Sequence, residues 1–308
     1  MKIVSVLLFI FWAFMPSIFA QAEKKDTVEA HQFFIQILPD NSLVKCGRFR
    51  ELDTLEITKI FFTKEDSSAL WSIDEALELI FDRQHGHPLF YIHGFYAATP
   101  KLTQRTVLAY KKFFLKDSIN QASDIIHIVW DSNKLSYRNS RKNIKSSRKV
   151  LADILRHSAK MLDEKINLMC HSMGNQFLME TIKSGILTES IIDKLILAAA
   201  DFDMVDFDVY QYGLTAVAHQ VLVLYNKRDK VLAVSRLKNQ ERRLGQRLPK
   251  HIESKRFIFI DCSKKKINHS LIAKMNRHTY FLASDEVRRI IHQFLITQSE
   301  DLLLSVKK

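Results

Sequence analysis

The chain holds 308 residues, with 46 Lys and Arg against 34 Asp and Glu, 12 His and 3 Cys; 47% of residues are hydrophobic and 26% are charged. This is ordinary globular composition, and it excludes a disordered, collagenous or coiled-coil chain. The net charge of +12 raises the question of nucleic acid, but the densest basic stretch, residues 134–149, is interrupted by Ser, Asn and Tyr and lacks paired aromatics or zinc-ligand spacing, so no nucleic-acid partner is expected.

Residues 1–22 read as an export signal: Lys2, an apolar run over 3–19, then Ala20 and Ala22 in Ala-x-Ala spacing. Cleavage there would start the mature chain near Glu23 and make it periplasmic or secreted; an uncleaved membrane anchor is the other reading of the segment. No second apolar run of spanning length follows, so a soluble mature protein is expected. In an oxidising compartment Cys46, Cys170 and Cys262 cannot all pair. Single buried thiols are expected, with a Cys46 to Cys262 bridge as the alternative.

Residues 31–38 and 43–49 flank Pro39-Asp40-Asn41-Ser42 and read as two antiparallel strands around a tight turn; 55–63 reads as a further strand. Residues 72–82 carry Ile73, Ala76, Leu77 and Ile80 at helical spacing, with Ser72 as cap. From residue 88 short apolar runs take over, at 89–92, 125–130, 166–170, 195–200, 221–225 and 257–260. They alternate with amphipathic segments at 101–115, 147–162, 173–183 and 285–295, the last capped by Ser284. Continuous apolar strands separated by helices mean a sheet buried on both faces. The prediction is a single α/β domain over 23–308 with its core at about 88–297: a mostly parallel central sheet, antiparallel N-terminal strands and helices on both faces.

The chemistry centres on residues 166–178, where an apolar strand runs into Ser172 and straight on into a helix. A nucleophilic serine at such a turn needs small residues two before and two after it, here Cys170 and Gly174. An ordinary helix cap would also place a serine there. Two further segments bear on the choice. The strand at 89–92 ends in His93-Gly94-Phe95, where Gly94 permits a sharp bend and the N–H groups of Phe95 and Met173 would face a developing oxyanion. His93 is expected to support that bend rather than to react. An elbow serine also needs an imidazole and a carboxylate, in the chain order Ser, acid, His. Asp229 follows the strand at 221–225, and His278 lies between the last strand and the last helix. His269 competes for the base. Asp201 and Asp203 compete for the acid, or else hold loops by accepting backbone N–H bonds. His85 and His87 form a His-x-His pair without an evident third ligand, so no metal and no cofactor are expected.

Taken together, Tyr91-Ile-His-Gly94, Ile128 to Ser132, His171-Ser-Met-Gly-Asn175, Leu197 to Asp203, Asn226-Lys-Arg-Asp229, Arg243-Leu-Gly245 and His278-Thr-Tyr-Phe281 resemble an uncharacterised bacterial family of α/β-hydrolases. Cys170 in the elbow and Asp131 after Trp130 depart from its pattern. The resemblance implies an α/β-hydrolase fold and a serine-hydrolase site, with Ser172 attacking an acyl carbonyl, His278 taking its proton and Asp229 orienting the ring. The expected partner is a small acyl substrate, an ester before an amide by analogy of fold alone. A peptidase, or a catalytically silent binding protein of the cell envelope with peripheral membrane contact, are the alternatives. Residues 95–104 and the basic segment 132–146 are expected to line the pocket, the latter selecting acidic or phosphate-bearing compounds.

Overall fold

The computed structural model describes residues 32–38, 43–51, 60–61, 70–83, 87–95, 124–132, 136–267 and 271–297. The proposed leader and the amphipathic segment at 101–115 lie outside the described residues, as do His85 and His269.

Among the described residues nine strands form one sheet: β1 (Gln32–Ile37), β2 (Val44–Glu51), β3 (Ile60–Phe61), β4 (Leu89–Ile92), β5 (Ile125–Val129), β6 (Ile166–His171), β7 (Ile192–Ala198), β8 (Ala218–Tyr225) and β9 (Phe257–Asp261), in the order β3-β2-β1-β5-β4-β6-β7-β8-β9. β2 runs antiparallel to β1 and to β3, while β1 and the strands from β4 to β9 pair in parallel. The antiparallel N-terminal hairpin is therefore as expected, and its first strand docks parallel to β5. Because β5 and β6 flank β4, the chain leaves β4 to one side and returns to the other. In sheets of this kind ligands bind at such a reversal, here beyond the C-terminal ends of β4 and β6.

The helices are α1 (Ile73–Phe81), α2 (Tyr137–Leu162), α3 (Met173–Lys183), α4 (Met204–Val217), α5 (Lys230–Asn239), α6 (Leu271–Asn276), α7 (Tyr280–Ala283) and α8 (Asp285–Ile296), with a 3-10 turn at Leu244–Gln246. Side chains alternate across the central strands. Leu168 and Cys170, Leu195 and Leu197, and Val221 and Val223 enter one core with residues of α1 to α4; Met169, Ile196, Ala198, Leu222 and Leu224 enter a second with Leu232, Phe281, Val287, Ile291 and Phe294. Both faces of the sheet are thus covered, as the unbroken apolar runs require.

Several expectations change. The segment 137–146 is the first part of α2 rather than a pocket loop: Ser136 caps it by accepting from Asn139 N, and Ser140, Ile144 and Ser147 continue its buried stripe. Small hydroxyl residues hide that stripe from a reading based on apolar spacing. α4 and α5 were not anticipated. Ser72 caps α1 in a reciprocal box with Glu75; Ser284 occupies the cap position of α8 without a capping side-chain bond. All three cysteines are buried thiols outside any disulfide. A Cys46 to Cys262 bridge is excluded because β2 and β9 stand seven strand spacings apart, roughly 30 Å. Among the described residues no helix is long and apolar enough to cross a membrane.

Candidate active site

Ser172 connects β6 to α3 with φ 52° and ψ −121°, a conformation a side-chain-bearing residue adopts only when its surroundings enforce it. Its N–H donates to Ala198 O at 3.0 Å, and its carbonyl accepts from Asn175 N, Asn175 Nδ2 and Asp201 N, each at 3.1 Å. The side chain makes no capping bond to the helix. The ordinary-cap reading therefore fails, since a capping serine spends its oxygen on the first turn.

The turn demands small neighbours, as anticipated. A Cβ on Gly174 would stand 2.5 Å from Ile92 O and 2.7 Å from His93 O, and one on Gly94 would stand 2.8 Å from Ser172 Cβ. Gly94 and Gly174 thus let the end of β4 and the start of α3 close on the serine. Cys170 points into the core beneath the sheet, so its extra bulk over glycine is absorbed there. His93 is fully committed: Nε2 accepts from Trp130 N at 3.1 Å, Nδ1 donates to Gly94 O at 2.7 Å, and the ring stacks on Trp130. Burial pushes it down to about 4. It is a neutral support for the bend. The N–H of Met173, in the first turn of α3, has no acceptor within its own helix, and Phe95 follows the Gly94 bend, its ring 5.9 Å from that of Tyr137.

Asp229 caps α5 at the C-terminal end of β8. Its Oδ1 accepts from Leu232 N at 2.9 Å, and its Oδ2 accepts from His278 Nδ1 at 2.7 Å. Both residues are buried, and the imidazole of His278 lies 4.8 Å, ring to ring, from His171, the residue before Ser172. The structure thus joins Asp229 to His278 and sets the pair against the elbow. Among the described residues Ser172 Oγ makes no hydrogen bond.

A family of alpha/beta hydrolases of unknown function (DUF900) matches residues 73–298. The chain belongs to this family. Among solved structures, this alpha/beta hydrolase is similar to lipase B of Aspergillus fumigatus at 16% identity, over 37% of the chain and 24% of the lipase, with a TM-score of 0.26. The likeness spans about a quarter of that lipase and carries no weight for activity. No curated protein matches the sequence.

In this alpha/beta hydrolase burial alone would depress His278, but the Asp229 carboxylate and its hydrogen bond outweigh burial, with a further contribution from Asp201, and hold the imidazole above its ordinary value. Burial raises Asp229, and the imidazole and the N–H groups of Leu232 and Val231 pull it back. Asp201 and Asp203 do hold loops, though not through backbone N–H groups. Asp201 accepts from Tyr137 Oη at 3.0 Å and Ser235 Oγ at 2.6 Å, and the buried Arg243 bridges Asp201 and Asp203. With those bonds formed, Asp201 supports the elbow instead of orienting a base. His87 bonds Lys165 O and Asn167 through its two ring nitrogens.

Residues to which the sequence assigns no role, though two of them lie in its motifs, do much of the positioning. Asn226 donates to Arg277 O at 3.2 Å and carries the Asp229 turn through its backbone carbonyl, tying the acid loop to the histidine loop. Asn276 Oδ1 accepts from His278 N at 2.9 Å, and Arg277 between them has φ 55°. Tyr280, wholly buried, donates to Leu224 O at 2.7 Å and accepts from Ala199 N at 3.2 Å. The available signal was their place beside Asp229 and His278 in the chain.

Proposed function

We propose that this protein is a serine hydrolase acting on a small acyl compound, a carboxylic ester in the first instance. The carrying observation is the strained, doubly pinned Ser172 elbow at the same sheet edge as the hydrogen-bonded Asp229 and His278 pair. Ser172 Oγ attacks the acyl carbonyl carbon while His278 Nε2 accepts its proton. Asp229 keeps the Nδ1 proton in place and stabilises the imidazolium. The N–H groups of Met173 and Phe95 receive the oxyanion, each worth about 3 kcal/mol in sites of this type. Collapse of the tetrahedral intermediate expels the alcohol, which takes the proton from His278 and leaves an acyl-serine. Water, deprotonated by His278, then releases the acid and restores Ser172.

A fluorophosphonate probe tests this reading. Wild-type protein should label and Ser172→Ala should not; equal labelling of both, or of neither, removes the serine-hydrolase assignment in favour of a binding role. 4-Nitrophenyl esters beside aminoacyl amides then separate esterase from peptidase. We further propose that the chain is exported and cleaved before Glu23, which the mass of the protein recovered from its host would test.

A further inference from the structure

We propose that the acyl substrate carries an anionic group, a carboxylate or phosphate, held by Lys238 and Arg141 at the far end of an aromatic strip that begins at Phe95. This rests on the serine-hydrolase reading and names the substrate class of that site.

The strip starts at the Gly94 bend, whose Cβ position lies against Ser172. The ring of Phe95 meets Tyr137 at 5.9 Å, and Lys238 Nζ sits 4.9 Å from the centre of the Tyr137 ring. Tyr137 is fixed from beneath by its bond to Asp201, whose own N–H holds the Ser172 carbonyl. The platform and the nucleophile are therefore parts of one hydrogen-bonded unit. Arg141 stands one helical turn beyond Tyr137 on α2, and its Nη1 reaches Asn239 Oδ1 at 3.4 Å, the residue after Lys238. Two exposed cations from neighbouring helices thus stand near Tyr137, Lys238 against its ring and Arg141 one turn along α2 beside Asn239.

Among the described residues neither cation forms a salt bridge, although carboxylates are near. Asp201 is saturated by Tyr137, Ser235 and Arg243. Asp203 also pairs with Arg243, and it feels Arg141 only as a lesser influence. Like charges on neighbouring helices that lack a carboxylate of their own favour an anion beside them. An acyl chain laid along Phe95 and Tyr137 would place a terminal anionic group there while its carbonyl remains at Ser172.

The test uses the half-ester 4-nitrophenyl hydrogen suberate and its neutral methyl ester. Binding is measured first to Ser172→Ala protein, so that it does not depend on turnover. The half-ester should bind on the order of tenfold more tightly, and the preference should shrink in Lys238→Met and Arg141→Met backgrounds and at ~1 M salt. Equal affinity for the two esters, or a preference that survives both substitutions, overturns the proposal. Turnover by wild-type protein with the same pair separates the two claims: a binding preference without fluorophosphonate labelling of Ser172 leaves the anion site standing and removes the serine-hydrolase reading. Labelling and turnover without any preference do the reverse.

Discussion

Asp229 meets two demands with one carboxylate, because Oδ1 caps α5 and Oδ2 orients His278. Asparagine can keep the cap, but it can offer His278 an N–H where an acceptor is needed, which favours the wrong tautomer. Asp229→Asn is expected to fold with a near-unchanged melting temperature and to lose on the order of 10⁴-fold in kcat. A variant retaining most of its activity would show that another group orients the imidazole. The same pair sets the pH response. A general base must be neutral, and His278 is held above 6.5 by Asp229, so kcat/KM should rise with pH through an apparent value above 6.5. A rising limb centred below 6.5 would mean that burial, and not the carboxylate, governs the ring. Tyr280 tests the support. Tyr280→Phe removes one of two donors to Leu224 O and one of two acceptors of Ala199 N, which still bond each other, a loss of about 0.5–1.5 kcal/mol in denaturant stability; no loss would show that the hydroxyl is dispensable.

The elbow works only as three elements closing on one another: β6 delivers Ser172, α3 leaves it at once, and β4 ends against both. Gly174 is the contact that permits this, and the atoms a methyl group would strike are backbone carbonyls that cannot rotate away. Gly174→Ala should therefore force α3 off β4, with a stability loss of about 1–3 kcal/mol and failure to label with fluorophosphonate. Full labelling with unchanged stability would contradict the closeness of the approach. This part of the site was legible in the sequence because strand, serine, glycine and helix are contiguous. Asp229 and His278 were legible by chain order and by their places after strands. The Asn226 and Tyr280 supports were not, because each acts across residues that only the folded sheet brings together; for Asp201 the loop-holding role was legible but its partners Tyr137, Ser235 and Arg243 were not. α2 shows the matching failure among elements: Ser140 and Ser147 bury as small residues where periodicity counts only large apolar ones, so ten residues of helix looked like a basic loop.

At the scale of the molecule, a sheet whose central strands are covered on both faces leaves polar groups inside, and among the described residues three buried histidines give the fold a pH response. The alternating apolar runs make the covered sheet legible, whereas His127 is hidden within the apolar run 125–130. Burial pushes His93 down to about 4; burial, helped by the neighbouring His93, pushes His127 to about 3; and burial, with His278 and His93 nearby, holds His171 well below its ordinary value. Unfolded, all three titrate near 6.5. Between that value and the folded ones the unfolded chain binds more protons, so stability is complete above about pH 6.5 and drains away as the pH falls. His93 and His127 should each cost the folded state about 3 kcal/mol by pH 4. His278 has the opposite sign: its folded value is raised, so its contribution is present below 6.5 and is lost as the pH rises through that folded value. Among the described residues one raised histidine does not offset three depressed ones, and the denaturant midpoint should fall steeply from pH 7 to pH 4.5. His127→Gln, which removes one titrating ring beside Gln32, should flatten that slope even if it lowers the midpoint at pH 7. A midpoint that stays level down to pH 4.5 would mean that these rings are not held neutral by burial.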